Sequence, residues 1–208
     1  MVNYWERAEY AKDIGEMKGL YLDCKSKRQR TNQMFDFFDK NCSLDITNVI
    51  EPGCNVGRNL EMAYERYGCN VVGLDINKEA ISECKSRMAT LGEFYIKDML
   101  SYSFDDYEDG FFDLGITMGF LMHIERGGQK KKIINGLLRS CKHVLMYEVY
   151  SDDADKKDLV LEEDHVVSWE DYRTYNDKII DTGISFGKNL KLYYYKGEII
   201  NENYSRLI

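Results

Sequence analysis

The segment 47–68 constrains the fold of this chain more than any other. A short apolar strand at residues 49–50 ends in Glu51, a glycine-containing turn follows, and a helical pattern then covers residues 58–67. A strand that enters a helix through a tight turn directs backbone N–H groups into the crevice at its carboxyl end, where open α/β sheets bind ligands. The segment therefore predicts an α/β fold with a ligand site at this turn.

The spacing of the glycines narrows the class of ligand. A dinucleotide-binding Gly-x-Gly-x-x-Gly motif that begins at Gly53 would need glycines where the chain has Asn55 and Arg58, so nicotinamide and flavin cofactors are disfavoured. The pattern Glu51-x-Gly53-x-x-x-Gly57 instead resembles the first motif of class I S-adenosylmethionine-dependent methyltransferases, usually written Asp/Glu-x-Gly-x-Gly-x-Gly. Asn55 replaces the middle glycine, and asparagine tolerates positive φ better than most residues. The alternative is a strand–turn–helix corner whose glycines serve packing alone.

Two further strands end in acidic residues. The second strand ends at Asp75, where a carboxylate is placed to accept hydrogen bonds from a ribose diol, and Asn77 is expected to cap the next helix. In the methyltransferase pattern, the acidic residue after the third strand faces the adenine amine and an apolar neighbour packs on the ring; Asp98 and Met99 have this chemistry. The resemblance therefore implies cofactor contacts from Glu51, Gly53, Cys54, Asn55, Gly57, Asp75, Ile76, Asp98, Met99 and Met118.

The run 118–124 follows a predicted fourth strand at residues 111–117. It resembles the Gly-hydrophobic-Leu-x-His-Ile helix of many small-molecule methyltransferases, and is most similar to methylases associated with pseudaminic acid and related sugar biosynthesis. Its His123 can take a proton from an acceptor hydroxyl, since an unperturbed imidazole has a pKa of about 6.5. Alternatively, His123 orders the loop by bonding to a backbone carbonyl. A sulfonium is already a good leaving group, so holding the nucleophile in line can supply much of the acceleration.

A fifth strand at residues 143–150 directs Glu148 and Tyr150 toward the same crevice, which makes them acceptor-side candidates; ordinary strand-end polarity is the alternative. Before this strand, a helical pattern covers residues 129–141. Its lysine run, 130–132, is expected to form a solvated face.

The two ends of the chain flank this core. Residues 1–43 predict two amphipathic helices, in which Tyr4 and Trp5 either pack or form a lid. Residues 151–208 contain a helical pattern and tyrosine-rich segments that suit an antiparallel strand pair. We therefore predict a single methyltransferase domain over 1–208, with a helical extension (1–43), a cofactor-binding core (44–150) and an acceptor-side segment (151–208). Arg28 and Arg30 precede the first strand and either hold the cofactor carboxylate or remain solvated.

The expected fold is a Rossmann-like, doubly wound, mostly parallel seven-stranded α/β sheet. Thirty-six acidic against 28 basic residues give a net charge of −8, which disfavours nucleic acid and anionic membranes as partners. The chain has no run near the roughly 18 apolar residues of a membrane span and no apolar signal segment, so a soluble, cytoplasmic protein is expected. Six scattered cysteines without a Cys-x-x-Cys pair indicate neither a metal site nor a disulfide framework.

The predicted function is methyl transfer from S-adenosylmethionine to oxygen or nitrogen of a small acceptor such as a sugar or sugar nucleotide, with His123 and Glu148 as catalytic candidates. The sole proline, Pro52, lies in the first motif, so the Asp/Asn/Ser-Pro-Pro-aromatic and Pro-Cys motifs of DNA methyltransferases are absent. RNA or protein acceptors stay open. A non-catalytic accessory protein that binds S-adenosylmethionine is the alternative from another class.

Overall fold

A computed structural model of the protein describes residue 22 and residues 24–124, 127–149, 169–185 and 190–197. The α-helices are α1 (Lys25–Asn41), α2 (Arg58–Tyr67), α3 (Lys78–Met88), α4 (Gly128–Ser140) and α5 (Trp169–Tyr175). The strands are β1 (Asn48–Pro52), β2 (Asn70–Asp75), β3 (Gly92–Ile96), β4 (Phe112–Met118), β5 (Cys141–Val149), β6 (Ile179–Ser185) and β7 (Leu190–Lys196). Short 3₁₀ turns cover Phe104–Asp106 and Leu121–His123.

The seven strands form one sheet in the order β3-β2-β1-β4-β5-β7-β6. Strands β1 to β5 are parallel, whereas β7 runs antiparallel to both of its neighbours. The strand order reverses between β1 and β4, and such a reversal opens a crevice at the carboxyl ends of these strands. The predicted Rossmann-like, seven-stranded fold is confirmed.

Helices cover both faces of the sheet and create two apolar cores. Buried side chains of α1, α2 and α3 pack on one face, with Phe35, Leu60 and Ile81 as representatives. Those of α4 and α5 pack on the other, with Leu137 and Tyr172. Because both faces are covered, most residues of the central strands are apolar, as is typical of parallel sheets.

Local sequence signals determine the elements around the first turn. Gly53 and Gly57 have φ of 70° and 76°, and Asn55 has φ of 50°, so the residue in place of the middle glycine does adopt the left-handed conformation. Helix α2 begins and ends where the pattern predicts. Asn77 caps α3, because its Oδ1 accepts hydrogen bonds from the backbone N–H groups of Glu79 (3.0 Å) and Ala80 (2.9 Å).

Two sequence-based expectations are wrong. The segment after β4 forms a single 3₁₀ turn, Leu121–His123, rather than an α-helix, because the backbone becomes extended at Ile124. Lys130 was expected on a solvated face but is fully buried, on the side of α4 that packs toward the sheet.

Some predictions fall on residues outside the described part of the chain. They concern the aromatic pair Tyr4 and Trp5, and Tyr150 at the end of the fifth strand. Within the described residues, no helix is long and apolar enough to cross a membrane.

Candidate functional site

A cavity opens at the carboxyl ends of β1, β2 and β4, with about 950 Å³ of space when the open solvent at its mouth is included. Nine of the ten predicted cofactor residues lie on its wall: Glu51, Gly53, Cys54, Asn55, Asp75, Ile76, Asp98, Met99 and Met118. His123 also lies there. The fold therefore brings together residues that are far apart in the sequence.

Glu51 provides a buried carboxyl group on the wall. Its side chain is only 2% exposed, and Oε1 accepts a hydrogen bond from Nδ2 of Asn59 at 2.6 Å. Oε2 is buried and has no hydrogen-bond partner among the described residues. Burial raises the pKa of Glu51 to about 8. Because an unsatisfied buried oxygen is unfavourable, this atom suits a ligand that brings a cationic hydrogen-bond donor.

Asp75 presents a second carboxyl group at the end of β2. Its oxygens accept backbone hydrogen bonds at 2.8 Å, from Asn55 to Oδ2 and from Asn77 to Oδ1, and the backbone of Ile76 also bonds to this carboxyl group. Burial raises its pKa above the ordinary value for aspartate. A carboxylate has about four acceptor sites, so Asp75 keeps acceptor capacity for a hydroxyl donor from the cavity.

Residues that follow β2 and β3 also line the cavity. They include Ile76, the buried Met99 and Leu100. Asp98 lies on the wall as well, and its Oδ1 accepts the backbone N–H of Leu100 at 2.9 Å. Apolar side chains with a neighbouring carboxyl group suit an aromatic ring that carries an amino donor.

Gly57 is the predicted cofactor residue that the structure does not bring to the wall. A Cβ atom there would lie 2.4 Å from Cε of Met88 and 2.9 Å from Sγ of Cys84. Gly57 therefore permits close packing of the turn on α3. At Gly53, a Cβ atom would instead meet the Phe120 ring at 2.3 Å, and both residues line the cavity.

The two catalytic candidates are placed differently. His123 lies on the cavity wall, whereas Glu148 does not and is fully buried. Oε1 of Glu148 accepts the backbone N–H of Phe120 at 3.2 Å, and Oε2 accepts that of Leu121 at 3.1 Å. Burial raises the pKa of Glu148 to about 7. Glu148 is thus not placed to contact a methyl acceptor directly, because its oxygens bind the backbone N–H groups of Phe120 and Leu121.

Arg58 and Asn59 also line the cavity, although the sequence analysis gave them no role there. Nε and Nη2 of Arg58 donate to Oδ1 of Asn59 at 3.2 and 3.0 Å, and Nη2 lies 3.1 Å from Sδ of Met118. The sequence contains a signal for this placement: Arg58 and Asn59 are two polar residues that directly follow the glycine turn, at the start of an apolar helix face. Arg28 lies off the wall and pairs with Glu65 at 3.2 Å.

Comparison with known proteins agrees with this geometry. Residues 49–144 match the family model described as a methyltransferase domain. No curated protein matches the chain.

Many solved structures are similar to this chain, and three of them serve as examples. The PH0226 protein from Pyrococcus horikoshii OT3 is 19% identical with a TM-score of 0.67, over 92% of this chain and 100% of that one. The N-methyltransferase NodS from Bradyrhizobium japonicum WM9, in complex with S-adenosyl-L-homocysteine, is 16% identical with a TM-score of 0.63, over 83% and 87%. The N-terminal domain of EvdMO1 with S-adenosylhomocysteine bound is 14% identical with a TM-score of 0.61, over 80% of each chain. At such identities the likeness shows the fold.

The sheet order is consistent with the class I methyltransferase fold, and residues 49–144 match a methyltransferase domain. These findings support an enzyme that transfers methyl groups with S-adenosylmethionine as its cofactor.

Proposed function

We propose that this enzyme methylates an oxygen or nitrogen atom of a small-molecule acceptor. The observation that carries the proposal is the juxtaposition, in one cavity, of three carboxyl groups suited to the cofactor and a partly apolar wall that carries His123. A sugar or sugar nucleotide is the first acceptor class to test, because the run 118–124 resembles sugar-associated methylases. The N-methyltransferase activity in the name of NodS supports nitrogen acceptors as the second class.

The cofactor-binding roles follow from the chemistry of each group. Asp75 accepts hydrogen bonds from the ribose diol through its remaining lone pairs. Asp98 accepts from the adenine amine, while Met99 and Ile76 pack on the ring. At the other end, Oε2 of Glu51 accepts from the ammonium group of the methionine portion, and the Arg58 guanidinium lies within reach of its carboxylate.

The cofactor supplies an electrophilic methyl group on a sulfonium. The protein's own residues then have to exclude water and hold the acceptor atom in line with that methyl group. The acceptor loses a proton as its bond to the methyl carbon forms, and His123 is the group on the wall that can take it. If His123 only orders the turn, the proton passes to water.

The charge and the cavity favour a small acceptor over a polymer. A net charge of −8 opposes nucleic-acid binding, and RNA or protein acceptors would have to reach the methyl group through the mouth of the cavity. We keep the division into an extension (1–43), a cofactor-binding core (44–150) and an acceptor-side segment (151–208) as part of the proposal.

The test combines cofactor binding with turnover. Purified protein is incubated with S-adenosylmethionine and panels of sugars, sugar nucleotides, amines, RNA and a protein extract, and S-adenosylhomocysteine formation is measured. We expect turnover with members of the first three panels and its loss in Asp75→Ala. Turnover only with RNA or protein would replace the proposed acceptor class. Tight binding of the cofactor without turnover in any panel would favour an accessory role.

A further inference from the structure

Acceptor oxygens at the end of β5 bind three consecutive backbone N–H groups of the segment that follows β4. The carbonyl oxygen of Tyr147 accepts the N–H of Gly119 at 2.9 Å. The two carboxyl oxygens of the next residue, Glu148, accept the N–H groups of Phe120 and Leu121 at 3.2 and 3.1 Å. We call residues 119–121 the β4 turn. One strand end therefore fixes every backbone donor of this turn.

The β4 turn needs such an external acceptor. The first N–H groups of any helix lack partners within the helix, and Phe120 and Leu121 lie at the start of the 3₁₀ turn Leu121–His123. The hydrogen bond from Leu121 to Glu148 is shielded from water, because Leu121 is 1% exposed and Glu148 is fully buried. Lys130 of α4 is buried as well, and its positive charge favours the ionised form of Glu148. The carboxylate is thus a built-in structural cap.

Phe120 of the β4 turn and His123, two residues after that turn, supply two side chains of the cavity wall. The ring of Phe120 covers Gly53 so closely that a Cβ atom at Gly53 would lie 2.3 Å from it. The backbone N–H of His123 donates to the carbonyl oxygen of Phe120 at 3.0 Å, so the position of His123 depends on that of Phe120. Both rings line the cavity next to Met118.

We propose that Glu148 is a positioning residue, which fixes Phe120 and His123 on the acceptor side of the cavity through the backbone of the β4 turn. The assignment of that side as the acceptor side rests on the proposed function. Glu148 itself touches neither the cavity nor the reacting atoms. Its two oxygens are both needed, because each caps a different N–H group.

The test compares Glu148→Gln with Asp113→Asn. Glutamine has one acceptor oxygen, and its amide nitrogen faces an N–H group that it cannot satisfy. Asp113 is also a buried carboxylate that accepts backbone N–H groups, but it lies at the opposite end of β4. The imidazole signals of His123 are followed by NMR. The chain has only three histidines, so a His123→Gln variant assigns them.

In Glu148→Gln we expect the His123 signals to shift and broaden, while affinity for S-adenosylhomocysteine changes by less than about threefold, because Glu51 and Asp75 are intact. Glu148→Asp keeps both oxygens and should restore the signals in part. In Asp113→Asn we expect a lower melting temperature and unchanged His123 signals.

Unchanged His123 signals in folded Glu148→Gln would overturn the proposal, and so would an equal change in Asp113→Asn. If Glu148→Gln does not fold, the His123 signals of Glu148→Asp decide. Its shorter side chain keeps both oxygens but must displace the β4 turn, so we expect a smaller shift of the same signals. Failure of the wild-type protein to bind S-adenosylhomocysteine would count against the proposed function and leave the NMR comparison valid.

Discussion

The pKa values of buried carboxyl groups at the two ends of the sheet shift in opposite directions. Asp113, at the start of β4, is 3% exposed, yet its oxygens accept hydrogen bonds from the N–H and hydroxyl of Thr47 (2.7 Å each), the N–H of Asn48 (3.0 Å) and Nζ of Lys142 (2.7 Å). Burial alone would raise its pKa, but the hydrogen bonds from Lys142, Thr47 and Asn48 together lower it.

Glu51, at the opposite end of the sheet, is 2% exposed; among the described residues its two oxygens have one hydrogen-bond partner, and burial raises its pKa to about 8. The difference shows that enough hydrogen-bond donors, including the cationic Lys142, can outweigh the effect of burial on the pKa of a carboxyl group. A carboxylate that the fold satisfies fully stabilises the fold. One that the fold leaves incomplete at a cavity wall is typical of a ligand site.

The largest effect on stability is expected at Asp113, whose oxygens accept several hydrogen bonds. Asp113→Ala removes an acceptor from several buried donors, so we expect the free energy of unfolding to fall by about 3 kcal/mol. For a chain of this size, that lowers the melting temperature by roughly 10 °C. Cofactor affinity should stay unchanged at temperatures where the variant is folded. Weakened binding of S-adenosylhomocysteine in the folded variant would contradict the separation of the two ends.

Asp75→Ala tests the cavity end. It removes the acceptor for the ribose diol, so we expect S-adenosylhomocysteine to bind about 1 to 3 kcal/mol more weakly, measured by calorimetry. Asp75→Asn keeps one acceptor oxygen and should lose less. A dissociation constant equal to that of the wild type would remove Asp75 from the site.

The pH dependence of cofactor binding tests Glu51. If the ammonium group of the cofactor binds the ionised form, the proton held by Glu51 must leave first. Because the pKa of Glu51 is about 8, its ionised fraction rises from about 1% at pH 6 to about 50% at pH 8, so affinity should rise about fiftyfold over this range. Glu51→Gln should bind more weakly at pH 8 and show little of this rise. An equal rise in Glu51→Gln would assign the pH dependence to another group.

The pH dependence of stability without cofactor is a further test of Glu51. The folded-state pKa of Glu51 lies above the ordinary value of 4.5, so the folded protein holds a proton that the unfolded chain releases in this range. Stability contributed in this way falls as pH rises from about 5 to 8, and Glu148 acts in the same direction. We expect the unfolding free energy of Glu51→Gln to fall less over this range than that of the wild type. A stability curve that coincides with the wild-type curve would show that Glu51 ionises normally.

Features determined by neighbouring residues could be predicted from the sequence. Helix α2 has left-handed glycines at both ends, Gly57 and Gly68, and its bounds match the prediction. The glycine turn and the strand-end acid Asp75 are also local signals, and they placed most of the cavity wall. The parallel direction of strands β1 to β5 followed from the repeated strand–helix pattern.

Features that depend on distant contacts could not be predicted. Glu148 lies 28 residues from the N–H group of Phe120, so its role as a cap is invisible until β5 pairs with β4. Lys130 looks like part of a charged run, and only the packing of α4 shows its burial. The glycine pattern could not tell that Gly57 faces Met88 while Gly53 faces the cavity.

The most direct test of the central claim is a calorimetric titration of S-adenosylhomocysteine into the wild-type protein, Asp75→Ala and Asp113→Asn at pH 8. The account predicts one binding site in the wild type, an affinity in Asp75→Ala weaker by about 1 to 3 kcal/mol, and wild-type affinity in Asp113→Asn. An absence of binding to the folded wild-type protein, or equal losses in both variants, would contradict it.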